Sequence, residues 1–252
     1  MLGAIIGDLV GSRFEHDNYK GKDFVLCHPD CRFTDDSVLT VAVARALLEQ
    51  ISYVQAFKEA FRRYPQAGYG RNFSRWARSD MSAGYNSFGN GSAMRVSPVA
   101  WFHADLGQVL AEARRSAAVT HNHPEGIKGA QATATAIFLA RQGEEKEQIR
   151  RAIEERFGYN LQRTPDEIRP GYSFDVSCQG SVPEAICCFL HSTDFEDAIR
   201  TAVSIGGDSD TIACISGSIA EPLYGIPPAL TEWALNQLDH HLRTTLATFK
   251  DS

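Results

Sequence analysis

A chain of 252 residues can bury a large core and is most simply a single domain spanning residues 1–252. Its 43% hydrophobic and 22% charged residues are ordinary for a water-soluble globular protein, and its net charge of −6 argues against a broad nucleic-acid surface. The apolar opening from Met1 to Gly7 lacks a basic flank and is interrupted by Asp8, so neither a signal peptide nor a membrane span is expected. Six cysteines without a C-x-x-C pair fit reduced, mostly buried thiols in a cytoplasmic protein. Cys27 and Cys31, with His28 between them, make at most half a zinc site, because no second half lies nearby.

In chain order, the opening alternates glycine with apolar residues: Gly3, Gly7 and Gly11 surround Asp8, which reads as structural, satisfying local backbone donors. Glu15 follows the helix this segment predicts, where a loop can bring it to bound metal. Helical periodicity then predicts helices over 38–50, 53–64, 106–120, 126–142, 146–157, 182–190, 194–205, 211–220 and 230–249. Clear period-two strands are lacking, so the expected fold is all-α, a single compact multi-helix bundle. The small residues of 129–136 and 212–220 let helix axes approach closely and mark the central helices. Residues 158–180 form the longest irregular stretch and suit a lid or specificity element.

Two acidic clusters carry the chemistry: Phe33-Thr34-Asp35-Asp36-Ser37 and Gly206-Gly207-Asp208-Ser209-Asp210-Thr211, each running into a helical segment. A single Asp or Thr there would serve as a helix cap, and Thr34 taken alone reads that way. Each cluster, however, supplies two carboxylates flanked by hydroxyls. Four carboxylates brought together repel one another, and bound cations are the usual remedy. Their hard oxygens select Mg²⁺, Mn²⁺ or Ca²⁺ over zinc. Between the clusters lies a Gly-rich segment, Tyr85 to Arg95, whose backbone N–H groups suit phosphate oxygens and whose Phe88 or Tyr85 suits a base or ribose. Thr120-His121-Asn122-His123 suits substrate contact or capping. Neither a nucleoside-triphosphate loop nor a G-x-S-x-G elbow is present.

Five segments in order resemble the ADP-ribosylglycohydrolase family, the group that includes dinitrogenase reductase-activating glycohydrolase. They are Gly3-Ala-Ile-Ile-Gly-Asp with Glu15, Phe33-Thr-Asp-Asp-Ser, Gly89-Asn-Gly-Ser-Ala-Met-Arg, Thr120-His121 and Gly206-Gly-Asp-Ser-Asp-Thr. The resemblance implies an all-α protein that holds two Mg²⁺ or Mn²⁺ and hydrolyses the C1″ glycosidic bond of an ADP-ribosylated protein or small molecule, with ADP-ribose as product. It implies metal ligation by Thr34, Asp35, Asp36, Asp208, Asp210 and Thr211. Glu15, with Asp35 and Asp36, is then catalytic. Gly70, Ser87, Phe88, Gly89, Asn90, Gly91, Met94 and His121 fall where relatives contact the ADP-ribosyl group. Ser37 stands where relatives often have Thr, which keeps the hydroxyl. A monomer is expected. The alternative is a non-catalytic ADP-ribose or nucleotide sensor with the same metal-centred pocket, against which an intact Glu15 argues.

Overall fold

The computed structural model describes residues 1–250. In chain order its helices are α1 Leu2–Gly11, α2 Asp35–Glu49, α3 Tyr53–Arg63, α4 Arg71–Arg78, α5 Gly91–Met94, α6 Ser97–Phe102, α7 Leu106–Ala118 and α8 Pro124–Arg141. There follow α9 Lys146–Phe157, α10 Pro165–Ile168, α11 Cys178–Leu190, α12 Phe195–Ser204, α13 Ser209–Tyr224, α14 Pro228–Gln237 and α15 His240–Lys250. No strand forms among the described residues, and one isolated antiparallel bridge joins Gly89 to Ser177. The fold is all-α, as the periodicity predicts. No helix among the described residues is long and apolar enough to cross a membrane.

At the centre, α1 lies antiparallel against α13. Gly3, Gly7 and Gly11 sit four residues apart on one face of α1, directly over the backbone of Gly217, Ala213 and Ser209. A Cβ at any of the three would fall on α13 backbone atoms, so the glycines set the axial separation. Overpacking of this kind typically costs about 1–3 kcal/mol. This close pair carries Asp8 on one partner and Asp210 on the other, both buried. α8 and α11, also rich in small buried side chains, pack on α13 and complete the middle of the bundle.

Several boundaries differ from the periodicity reading, among them the C-terminal end of α13, which runs on to Tyr224 rather than stopping at 220. The segment read as one helix over 230–249 is two, α14 and α15, because the backbone turns extended at Leu238 and Asp239 accepts the Leu242 N–H at 2.9 Å, starting a new helix. α11 starts at Cys178 rather than 182, capped by the Ser177 side chain, and carries Pro183 inside its first turns. The 158–180 stretch is interrupted by α10, whose Thr164 and Glu167 form a reciprocal capping box. Three short helices, α4, α5 and α6, lie within 71–102, each too brief to show a clear period.

Candidate metal and ligand site

The N-termini of α2 and α13 converge on one cavity of about 630 Å³. Its floor is made by Glu15, Asp35, Asp36, Asp208, Asp210 and Thr211. One wall comes from Gly68 to Arg75, a second from Tyr85 to Arg95 with His121, and a third from Phe174 and Val176. The two acidic clusters, more than 170 residues apart in sequence, are thus brought together. The Thr211 hydroxyl donates to Asp36 Oδ2 at 3.0 Å, the direct link between them. Carboxylate oxygens of Glu15, Asp208 and Asp210 all lie within 4.8 Å of one another.

Each cluster is held by a different device. In α2 the Thr34 hydroxyl caps the helix, accepting the Asp36 N–H at 3.2 Å. Asp8 on α1 then grips this turn. It accepts the Thr34 N–H at 2.9 Å, the Thr34 hydroxyl at 2.6 Å, the Ser37 N–H at 3.0 Å and the Ser37 hydroxyl. Asp8 is therefore structural, but its donors lie 26 to 29 residues away rather than nearby, which corrects the local reading. Thr34 Oγ1 serves as cap and donor and has one lone pair left. It does not line the cavity.

The second cluster is placed by consecutive glycines. Gly206 and Gly207 have φ of +73° and +76°, a conformation that side chains rarely adopt, and a Cβ on either would strike Asn18 and Lys20 or the Tyr172 ring. Asn18 accepts the Gly207 N–H at 3.0 Å. Lys20 donates to the Tyr172 carbonyl at 2.6 Å and to the Ile205 carbonyl. The loop that carries Glu15 is thereby pinned to the turn that presents Asp208 and to the segment leading to Phe174. Asn90 Nδ2 donates to Asp208 Oδ2 at 2.7 Å and to Ser181 at 3.0 Å, tying the Gly-rich wall to the floor.

The floor is electrostatically uncompensated. No Lys or Arg among the described residues forms an ion pair with any of its five carboxylates, and the His16 ring nitrogen Nε2 lies 3.8 Å from Glu15. Burial, and then Asp8, push Asp35 up to about 8. Asp36 rises well above the usual carboxylate range through burial, then through Asp8, Asp35 and Asp208. Asp210 does the same through burial, then Asp36 and Asp208. Asp208 is raised by burial, with the Asn90 hydrogen bond opposing. Buried carboxylates without counter-charges are costly unless protonated or bound to a cation. The helix N-termini behind both clusters favour the ionised form, but only within their first turns. An all-oxygen, mostly carboxylate donor set fits hard divalent ions such as Mg²⁺ and Mn²⁺.

His121 is set by a buried relay. Arg95 is fully buried, with its guanidinium 4.3 Å from the centre of the Phe57 ring. It donates to the Ser116 carbonyl at 2.9 Å and to Thr120 Oγ1 at 2.8 Å. Thr120 Oγ1 lies 2.7 Å from His121 Nδ1. Burial and then Arg95 hold His121 well below its ordinary value, hence neutral. Nε2, the other ring nitrogen, lies beside Gly89 and Gly91 and faces the cavity.

Among the residues singled out in the sequence, Gly70, Ser87, Gly89, Asn90, Gly91, Met94 and His121 line the cavity with the acids. Phe88 does not: it is half exposed, with its ring centre 5.5 Å from that of His123. Sequence reasoning missed Arg71, Arg75, Phe174, Val176 and the buried Arg95. For Arg95 the only available signal was its place at the end of the Gly-rich segment.

An all-α fold that gathers Asp-rich helix N-termini at one cavity defines a class of helical proteins with a carboxylate-centred pocket. Within it the chain belongs to the ADP-ribosylglycohydrolase family, whose model matches residues 1–251. It is 26% identical to ADP-ribosylhydrolase ARH3 of Homo sapiens over a gapped alignment of 314 positions, covering 92% of this chain and 86% of that one. It is 28% identical to ADP-ribosylarginine hydrolase Tri1 of Pseudomonas putida, covering 92% and 71%. A solved structure titled ADP-ribosylglycohydrolase-related protein complex superposes with a TM-score of 0.73 at 25% identity, covering 99% of this chain and 95% of that one.

Proposed function

We propose that this chain hydrolyses the C1″ glycosidic bond of ADP-ribosylated substrates, protein side chains or small molecules, and releases ADP-ribose. Two Mg²⁺ or Mn²⁺ would be held by Asp35, Asp36, Asp208, Asp210 and Thr211, with the remaining lone pair of Thr34 at the edge of the set. The observation that carries this reading is the gathering of Glu15 with Asp208 and Asp210 in a cavity walled by the Gly-rich segment. The names of the human and Pseudomonas relatives support the substrate class.

Divalent ions bound there would supply Lewis-acid polarisation and help orient the substrate. Glu15 has a side chain that is 25% exposed, so it reaches both the buried acids and the open cavity. In this reading it takes a proton from the attacking water or gives one to the leaving group as C1″ gains oxocarbenium character. His121 presents its neutral imidazole to the ligand, and Asn90 holds Asp208 in one orientation.

The test is a panel of ADP-ribosylarginine, ADP-ribosylserine, an ADP-ribosylated base, ADP-ribosylguanidine and O-acetyl-ADP-ribose, each with Mg²⁺ or Mn²⁺. ADP-ribose released from at least one, measured by mass spectrometry, is the expected result. Tight ADP-ribose binding with no release from any would leave the sensor instead.

A further inference from the structure

We propose that the exposed face of α4 docks an acidic segment of the ADP-ribosylated carrier protein, with Arg71, Arg75 and Arg78 as the recognising cations; the inference rests on the hydrolase reading above. These three residues recur at i, i+4 and i+7 and so share one helix face. The opposite face, Phe73, Trp76 and Ala77, is buried in the bundle. All three arginines are exposed, and none pairs with a carboxylate among the described residues. Arg78 lies over the Phe61 ring at 5.1 Å, which orients it without neutralising it.

The surrounding sequence sharpens the pattern. Residues 60–79 hold five arginines and no Asp or Glu, in a chain whose net charge is −6. Aligned like charges on one helix face repel, and a solvated helix usually relieves this with an intervening acid. Here none is supplied, so the complementary charge is left to a partner.

The length of the stripe decides which partner. Arg71 and Arg75 line the cavity that contains the acids, whereas Arg78 lies outside it. From Arg71 to Arg78 a helix rises about 10 Å. A cavity of about 630 Å³ has the scale of one small ligand. An anion that meets all three arginines must therefore leave the cavity and run along the rim. Side chains of an extended peptide recur on one side about every 6–7 Å, which lets two carboxylates span the stripe. A long phosphate polymer would meet the chain's overall negative charge, whereas a short acidic segment meets the stripe alone.

The test uses peptides that carry ADP-ribosylarginine or ADP-ribosylserine, flanked either by glutamates or by glutamines. Wild type should show kcat/KM about tenfold higher for the glutamate peptides at low salt, chiefly through KM, the scale of three exposed ion pairs. The preference should vanish in about 0.5 M NaCl. The triple variant Arg71→Gln, Arg75→Gln, Arg78→Gln should bring the ratio near one. A ratio near one in wild type, or one that survives the triple variant, overturns the docking role. If wild type cleaves no peptide, the hydrolase reading fails for these linkages and binding decides the stripe separately. In that arm fluorescence anisotropy compares labelled, unmodified glutamate and glutamine peptides with a single-stranded oligonucleotide. Tighter binding of the glutamate peptide, lost in the triple variant, supports the stripe; no such preference, or tighter oligonucleotide binding, overturns it.

Discussion

Asp210→Asn is expected to leave the protein folded, raise the melting temperature of the metal-free form and remove the response to Mg²⁺ or Mn²⁺. The three effects have one cause. Asp210 is buried among like charges, and burial together with Asp36 and Asp208 drives it well above the usual carboxylate range. A neutral amide of the same shape relieves that repulsion and deletes a hard anionic donor. Activity should fall by more than about 10²-fold, since even outer-shell partners of metal ligands cost 10–100-fold. Asp36→Asn should behave alike, because the Thr211 hydroxyl ties Asp36 to the other cluster. Calorimetry that finds full ion stoichiometry in both variants would separate the two acidic clusters into unrelated features.

Glu15→Gln should separate chemistry from binding. Glu15 sits at the partly exposed edge of the acid group, while the Gly-rich wall and His121 are built independently of it. ADP-ribose Kd is therefore expected to stay within several-fold of wild type. Single-turnover cleavage should fall by roughly 10²-fold or more, the scale of a lost general acid or base. Cleavage by the variant at the wild-type rate would remove Glu15 from the mechanism. No cleavage by wild type would favour the sensor.

Much of the site was legible because its parts are local motifs. Thr34-Asp35-Asp36 and Asp208-Ser209-Asp210-Thr211 each lie at a helix N-terminus, where sequence pattern and capping chemistry coincide. Glu15 was legible as the acid after the first helix. What was not legible depends on contacts made across the chain. Asp8 reads as structural through local backbone donors, and only the fold shows that its donors are the distant Thr34 and Ser37. Lys20 carries no motif in the sequence, and its role shows only in its bonds to the Tyr172 and Ile205 carbonyls. The break between α14 and α15 was readable in principle, since Asp239 is a good cap, but the apolar periodicity continued through it. α5 and α6 are too short for periodicity to register.

The central claim, that the buried carboxylates form a divalent-cation site, is tested most directly by thermal melting of wild type in EDTA and in millimolar Mn²⁺ at pH 5.5 and pH 8. The folded-state value of Asp35 is raised from 3.8 to about 8, and those of Asp36, Asp208 and Asp210 are raised as well. The metal-free native state therefore holds protons that the unfolded chain has released. Its stability from these groups is full below about pH 4 and falls as pH climbs toward about 8. Mn²⁺ competes with those protons and stabilises the native form by RT ln(1 + [L]/Kd), about 2.7 kcal/mol at a hundredfold excess over Kd. For a chain of this size that is a rise of about 5–10 °C. The account predicts such a rise at pH 8 and a clearly smaller one at pH 5.5. Melting curves unmoved by EDTA or Mn²⁺ at both pH values would contradict it.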